Sequence, residues 1–173
     1  MNRIKWSTWV SSIILVGLLS AGLAIAGDSP SVDEQMAGLV QMCADSEGAR
    51  VARQTDKPLY YRLGEYDAIL EFTAEIVRLH DINPDFDRFM DEVDDQELAA
   101  NVADFISTGT GGPKVYTGRD MPSSHAHLEL SSADFLSAGG DVNKAMVNKG
   151  YGEEEIQEMI CILVSMKDLV ITR

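Results

Sequence analysis

Apolar residues recur every three or four positions from about residue 60 to residue 170, and this spacing constrains the fold more than any other feature. It places apolar side chains on one face of an α-helix. The last segment shows it most clearly, along a stripe of Ile156, Met159, Ile160, Leu163, Met166 and Val170. Asn83-Pro84, residues 109–113 and Gly150 interrupt the pattern, as helix breaks do. Because no segment shows the strict alternation of a strand, the sequence predicts an all-α fold.

The first 26 residues have the features of a secretory signal peptide. Arg3 and Lys5 precede an apolar run from Val10 to Ile25, and a small-x-small cleavage pattern ends at Ala26. The run is about 16 residues long, short for a membrane span, although an uncleaved anchor is an alternative. We therefore predict cleavage after Ala26, a periplasmic or secreted mature chain, and no membrane contact after cleavage.

Charge and cysteine content narrow the functional classes. The net charge is −14, which argues against nucleic acid as a partner because nucleic acid requires basic patches. In an oxidising compartment the two cysteines outside the leader, Cys43 and Cys161, suggest one disulfide. Two separate thiols are the alternative.

Residues 27–57 form a polar extension, for which we predict one helix. Ser31 is suited to cap it, and an apolar face follows with Val32, Met36, Leu39, Val40 and Cys43. On the last helix Cys161 lies opposite the apolar stripe and is expected to face outward. A Cys43–Cys161 disulfide would then tie the extension across the outside of a domain formed by residues 58–173.

Two motifs imitate ion-binding or phosphate-binding loops. The acidic run from Asp81 to Glu92 has the spacing of a calcium-binding EF-hand loop, but Phe86 stands where that loop needs glycine. The glycine-rich stretch ending in Lys114 follows a helix and lacks the Gly-Lys-Ser/Thr ending of a phosphate loop. An acidic interhelical corner and an ordinary helix break are therefore the favoured interpretations.

The three histidines, His80, His125 and His127, allow two kinds of metal chemistry. Zinc is disfavoured because the residues of a His-x-His pair do not share a helix face. One histidine facing an apolar pocket is a different candidate, since neutral imidazole donates to haem iron. Incidental surface histidines are the third interpretation.

The segment from Gly111 to Met121, followed by His125, resembles the group 1 truncated haemoglobins. In that family a Gly-Gly-Pro stretch and a Tyr-Thr-Gly loop lead to the proximal histidine, which here corresponds to His125. The Gly150 break continues the match downstream. Upstream, Leu63-Gly64 resembles the first glycine motif, with Glu65 in place of its second glycine. The resemblance extends over residues 58–173.

This resemblance implies a 2-on-2 helical sandwich around haem b, a non-enzymatic protein that binds O2, NO or CO. His125 would be the axial iron ligand, and His127 would lie outside the pocket. Met121 would touch the proximal face of the haem. The other implied haem contacts are Phe105, Tyr116, Phe135, Phe89 (or its neighbour Met90), Val102 and Met146.

The distal side departs from the family pattern. Group 1 members carry a tyrosine and glutamines that donate hydrogen bonds to the gas ligand, and the resemblance places Val77, Leu98, Asn101 and Val102 at those positions. A donor to a charged acceptor contributes about 1.5–3 kcal/mol. Its loss predicts dioxygen binding weaker by up to about a hundredfold, whereas CO and NO depend on it less.

Three further interpretations stay open. His80, one turn beyond Val77, is a candidate sixth ligand, although a helix-end histidine near solvent is favoured. The chain is alternatively a haem-free globin-fold module that kept the scaffold and lost the pocket. A haem enzyme, such as a nitric oxide dioxygenase or weak peroxidase, ranks last because the resemblance places no His or Arg on the distal side.

Overall fold

The computed structural model describes residues 29–173, so the predicted signal peptide lies outside the described residues. Between Ser29 and Arg173 the chain forms α-helices, and its only β-pairing is an isolated bridge between Leu130 and Ile171. The predicted all-α class is confirmed. The helices are α1 Val32–Asp45, α2 Glu47–Asp56, α3 Leu59–Arg62, α4 Glu65–Asp81, α5 Asp87–Met90, α6 Asp95–Gly109, α7 Met121–His125, α8 Ser132–Asn148 and α9 Glu153–Val170. A 3-10 turn, Ala126–Leu128, follows α7.

Two helix pairs enclose the main core. α4 packs on α6, α8 packs on α9, and α4 also contacts α8, which joins the two pairs. Phe72 and Ile69 of α4, Met146 of α8 and Met159 of α9 are fully or almost fully buried between them. Truncating a core side chain of this size to alanine typically costs about 2–5 kcal/mol. The apolar stripes identified in the sequence therefore face one shared core.

The extension contains two helices instead of the single helix that we predicted. Ser46 separates α1 from α2, and its hydroxyl donates to the carbonyl of Met42 at 2.8 Å. The Arg50 guanidinium donates to the carbonyl of Cys43 at 2.7 Å. These side chains satisfy carbonyls that the end of α1 leaves without helical partners, so the chain can restart as α2.

The predicted disulfide between Cys43 and Cys161 is confirmed. Its S–S distance is 2.09 Å, and the two Cα atoms lie 5.4 Å apart. Cys161 faces away from the main core, as helical geometry predicted. It is nevertheless buried, because α1 covers it and a small apolar cluster with Val164, Leu39 and Met42 surrounds the bond. The extension is therefore fastened to the outer face of α9.

An ion-pair cluster attaches the second half of the extension to the same helix. Glu158 of α9, only 5% exposed, accepts from Arg53 Nε of α2 at 2.5 Å and from the Arg62 guanidinium of α3. Arg53 also reaches Glu154 at 3.2 Å, and Arg62 reaches Glu155 at 2.9 Å. Both arginines are thus held against one acidic face of α9.

None of the helices between Ser29 and Arg173 is both long and apolar enough to cross a membrane.

Candidate haem site

His125 is the last residue of α7, a five-residue helix that packs against α9. Asp120 caps this helix by accepting from the Ser123 amide at 2.8 Å, and Pro122 lies in its first turn, where proline is tolerated. The Nδ1 atom of His125 lies 2.8 Å from the carbonyl oxygen of Met121. A carbonyl can only accept, so Nδ1 carries a proton, and in the neutral imidazole the free lone pair is then on Nε2. This is the tautomer that binds a metal through Nε2.

The glycines of the loop before α7 are required by close approaches. A Cβ on Gly112 would lie 2.5 Å from both Ser107 Oγ and the Tyr60 ring, and a Cβ on Gly118 would lie 2.4 Å from the Tyr116 hydroxyl. That hydroxyl donates to the carbonyl of Arg119 at 2.9 Å. The Gly-Gly-Pro and Tyr-Thr-Gly motifs therefore shape the loop that leads to His125.

A salt bridge fixes the same loop to α6. Lys114 Nζ lies 2.9 Å from Asp104 Oδ1 and 4.0 Å from the centre of the Tyr66 ring. The hydrogen bond from Lys114 lowers the pKa of Asp104, and the same bond raises the pKa of Lys114. Lys114 is thus engaged with a carboxylate, which agrees with the rejection of a phosphate loop.

Three of the residues that the resemblance assigns to the haem pocket lie on α6 and the following loop. Phe105 and Tyr116 meet edge to face, with ring centres 5.3 Å apart. Val102 and Phe105 of α6 are half-buried and pack against the main core. Met121 contributes the carbonyl that orients His125. Their contact with a cofactor stays a prediction.

The remaining assigned residues lie in three other places. Met146 is 0% exposed inside the main core and presents no surface in this conformation. Phe89 is half-buried in the corner after α4, edge-on to Phe86 and beneath the Arg88 guanidinium at 4.1 Å. Phe135 of α8 lies on the wall of a groove shared with α1 and α9. Their contact with a cofactor also stays a prediction.

The resemblance places the distal side between α4 and α6, where most of the buried side chains are apolar. Val77 is 3% exposed, and Ile76 beside it is also buried, as are Ala99 and Ala103 of α6. The buried Thr73 hydroxyl already donates to the carbonyl of Ala99 at 2.9 Å. A recess of about 150 Å³ lies next to Val77, and its lining includes the charged or polar residues Arg78, Asp81, Asp95 and Gln96.

His80 is engaged in a contact that sequence reasoning missed. Its Nδ1 atom lies 2.9 Å from Asp141 Oδ2 on α8, and its ring stacks on Phe86 with centres 4.4 Å apart. Asn83 donates to the same Asp141 oxygen at 2.8 Å. An aspartate within the apolar part of α8 was the available sequence signal. The side chain of His80 thus joins α4 to α8 through Nδ1, and its role as a sixth ligand stays a prediction.

The zinc and calcium interpretations gain no support from the part of the chain that the structure describes. Within residues 29–173 no three His, Cys, Asp or Glu side chains are grouped so that they could hold a metal ion. His127 is exposed on the 3-10 turn, two residues beyond His125.

Comparison with known proteins gives structural matches only. A scan of protein-family models and a search of curated proteins found no match to the sequence. Among solved structures, the truncated hemoglobin of Tetrahymena pyriformis in its Fe(III) form superposes with a TM-score of 0.60 at 18% identity, covering 66% of this chain and 98% of that one. The fold is that of the truncated globins.

Two further structures agree with this fold. A variant of the Tetrahymena pyriformis protein superposes with a TM-score of 0.64 at 17% identity, covering 68% of this chain and all of that chain. The 2/2 hemoglobin of Synechococcus sp. PCC 7002, in the cyanomet state with covalently attached heme, gives a TM-score of 0.63 at 20% identity over 67% of this chain and 99% of that one. The predicted 2-on-2 truncated globin fold is therefore confirmed.

Proposed function

We propose that this truncated globin belongs to group 1, binds haem b and holds its iron through His125. The observation that supports this most directly is the 2.8 Å contact between His125 Nδ1 and the carbonyl of Met121. It makes Nδ1 the donor and holds the ring in one orientation, so that in the neutral imidazole Nε2 is the atom that can bind iron. The solved structures with this fold include one that carries attached heme.

The chain's own residues suit an apolar, planar cofactor on the α6 and α7 side. Phe105, Tyr116 and Val102 offer half-buried apolar surface, and Met121 lies one helical turn before His125. Haem, when bound, would supply reversible binding of O2, NO or CO. The protein's contribution would be the axial imidazole and the exclusion of water around it.

The distal side favours binding over catalysis. Val77 and Ile76 offer no hydrogen-bond donor, and the hydroxyl of Thr73 is committed to Ala99. A bound gas would thus lack the polar partner that stabilises dioxygen or polarises a peroxide bond. We therefore infer a gas-binding protein that prefers CO or NO, with weak dioxygen affinity.

A hemin titration of the purified full chain tests this proposal. We expect a Soret band at one hemin per chain, and we expect His125→Ala to lose it or shift it. His127→Ala is the matched control, since it removes an exposed histidine two residues away and should leave the spectrum unchanged. Added imidazole should restore the band in His125→Gly. An unchanged spectrum in His125→Ala would refute the axial assignment.

The haem-free module remains the second candidate, and a specific packing observation favours it. Met146 is fully buried in the protein's own core, and Phe105 packs directly on Tyr116. If the wild-type chain takes up no hemin while circular dichroism shows it to be helical, the scaffold interpretation replaces the haem interpretation.

We also propose that the mature protein is exported after cleavage behind Ala26. The Cys43–Cys161 disulfide supports this, because such bonds persist in oxidising compartments. Intact mass of the protein recovered from a periplasmic or culture fraction tests it, with Gly27 expected as the first residue. Recovery of the uncleaved chain from membranes would instead favour an anchor.

A further inference from the structure

An apolar groove lies between α1, α8 and α9, away from His125. Its volume is about 510 Å³, within the range of roughly 300–1,000 Å³ typical of small-molecule sites. Aliphatic and aromatic side chains form nearly all of its surface. The walls include Leu39 and Met42 of α1, Phe135 and Leu136 of α8, and Ile160 and Leu163 of α9.

Two adjacent glycines open one side of this groove. Gly139 and Gly140 lie within α8, and a Cβ built on either one would meet nothing within 4 Å. Glycine is the least favourable helix residue apart from proline, so a pair of them in a helix interior weakens it. Within residues 29–173 no close contact explains the pair. Their effect is to leave room beside the backbone of α8.

The charges around the groove restrict its occupant. Among the described residues that line it, Glu153 is the only charged one, and Asn143 and Gln157 are the uncharged polar ones. The chain as a whole carries a net charge of −14. A carboxylate or phosphate headgroup would therefore meet repulsion and find no cation to pair with. The two amides can exchange hydrogen bonds with a hydroxyl or ester group.

We propose that this groove binds a neutral aliphatic molecule whose only polar group is a hydroxyl or an ester, such as a long-chain alcohol. The chain would lie along Phe135, Ile160 and Leu163, beside the open backbone of the two glycines. The polar end would lie towards Asn143 and Gln157. His125 does not line this groove, and binding there does not depend on haem; Phe135, which the resemblance assigns to the haem pocket, lies on the groove wall.

Fluorescence of N-phenyl-1-naphthylamine, a neutral apolar probe, tests the site in the full chain. We expect saturable binding that 1-dodecanol displaces at least about tenfold more effectively than dodecanoate, which differs in its charged headgroup. Equal displacement by both would overturn the assigned ligand chemistry. Absence of saturable probe binding and of any dodecanol effect would overturn the site itself.

Substitutions that place a larger side chain in the groove test whether the probe binds there. Gly139→Leu should weaken probe binding by at least about tenfold, because the new side chain enters open space. Gly38→Leu is the matched control, since Gly38 also lies in a helix with nothing within 4 Å but outside the groove. Gly140→Leu replaces Gly139→Leu if circular dichroism shows the latter to be unfolded. Probe binding that survives these substitutions lies elsewhere and refutes the proposal.

The same variants separate this site from the haem proposal. Gly139→Leu should leave hemin uptake unchanged, and His125→Ala should leave probe binding unchanged. Loss of both activities in either variant would mean that the groove and the haem site are one, and would also overturn the proposal of a separate site.

Discussion

Cys43 and Cys161 lie 118 residues apart in sequence, and their disulfide joins the extension to α9. Cys43 is the only buried residue of α1, and α2 has none. The rest of the extension's attachment comes from Leu39 and Met42 beside the bond, and from the ion pairs of Arg53 and the hydrogen bond from Gln54 to Thr110.

Removing the disulfide should loosen the extension before the core. Closing a loop of this length stabilises a fold by up to about 5 kcal/mol in the chain-entropy model, and we expect the Cys43→Ser/Cys161→Ser variant to lose about 3 kcal/mol in urea unfolding. Limited trypsin digestion should then cut at Arg50, Arg53 and Lys57. Dithiothreitol should reproduce both effects in the wild type and have none on the variant. Equal trypsin resistance with and without the bond would contradict this.

Glu158 should contribute far more to the free energy of unfolding than Glu154, which lies one turn earlier on α9. Glu158→Gln leaves two partly buried guanidinium groups without their shared carboxylate, and we expect a loss of about 2–3 kcal/mol in the free energy of unfolding. Glu154→Gln is the matched control, because the side chain of Glu154 is 66% exposed. We expect it to lower the free energy of unfolding by less than about 1 kcal/mol. Urea unfolding of both variants measures the difference. Similar losses of unfolding free energy in the two variants would show that the burial of Glu158 does not set its contribution to stability.

Glu65 has a left-handed backbone, with φ at 68°, directly after Gly64 at 91°. A side chain in this backbone region lowers the stability of the fold by roughly 1–2 kcal/mol. Glycine removes that strain, but it also raises the entropy of the unfolded chain, which cancels part of the gain. Glu65→Gly should therefore raise the free energy of unfolding by up to about 1 kcal/mol. The same substitution at Glu71, in the middle of α4, should lower it by about 1 kcal/mol. A loss of stability at both positions would refute the strain at Glu65.

Val77→Tyr should slow dioxygen dissociation if His125 holds haem iron. The resemblance places Val77 at the position of the family's distal tyrosine, and a recess of about 150 Å³ lies beside it. A phenol hydroxyl would supply the missing donor, and we expect slowing by up to about a hundredfold. Val77→Phe is the control, because it adds the ring without the hydroxyl. Stopped-flow traces that are the same for both variants would mean that position 77 does not face the gas.

Much of the fold follows from local sequence patterns. The helical stripes and their glycine and proline breaks predicted the all-α class, because these patterns act within single segments. The disulfide was predictable as well, since the helical positions of Cys43 and Cys161 place them on faces that can meet. The break at Ser46 was not predictable, because it depends on contacts that Ser46 and Arg50 make with backbone carbonyls.

The candidate site was predictable only on its proximal side. The resemblance of the Tyr-Thr-Gly loop and its spacing made His125 the candidate ligand, and the structure adds the carbonyl of Met121 that orients it. Asp141 escaped notice, because its partners His80 and Asn83 lie on another part of the chain. The periodicity of apolar residues predicts which face of a helix is buried, but it does not predict which other helix packs against that face.

The sequence by itself determined which segments are helical, which histidine follows the glycine-rich loop and which cysteines can pair, because each depends on spacing along one stretch of chain. The tertiary structure decided that α1 buries Cys161, that Glu158 pairs with both Arg53 and Arg62, and that the two glycines of α8 line a groove. Those properties arise where helices distant in sequence pack together, and only the packing specifies which side chains meet.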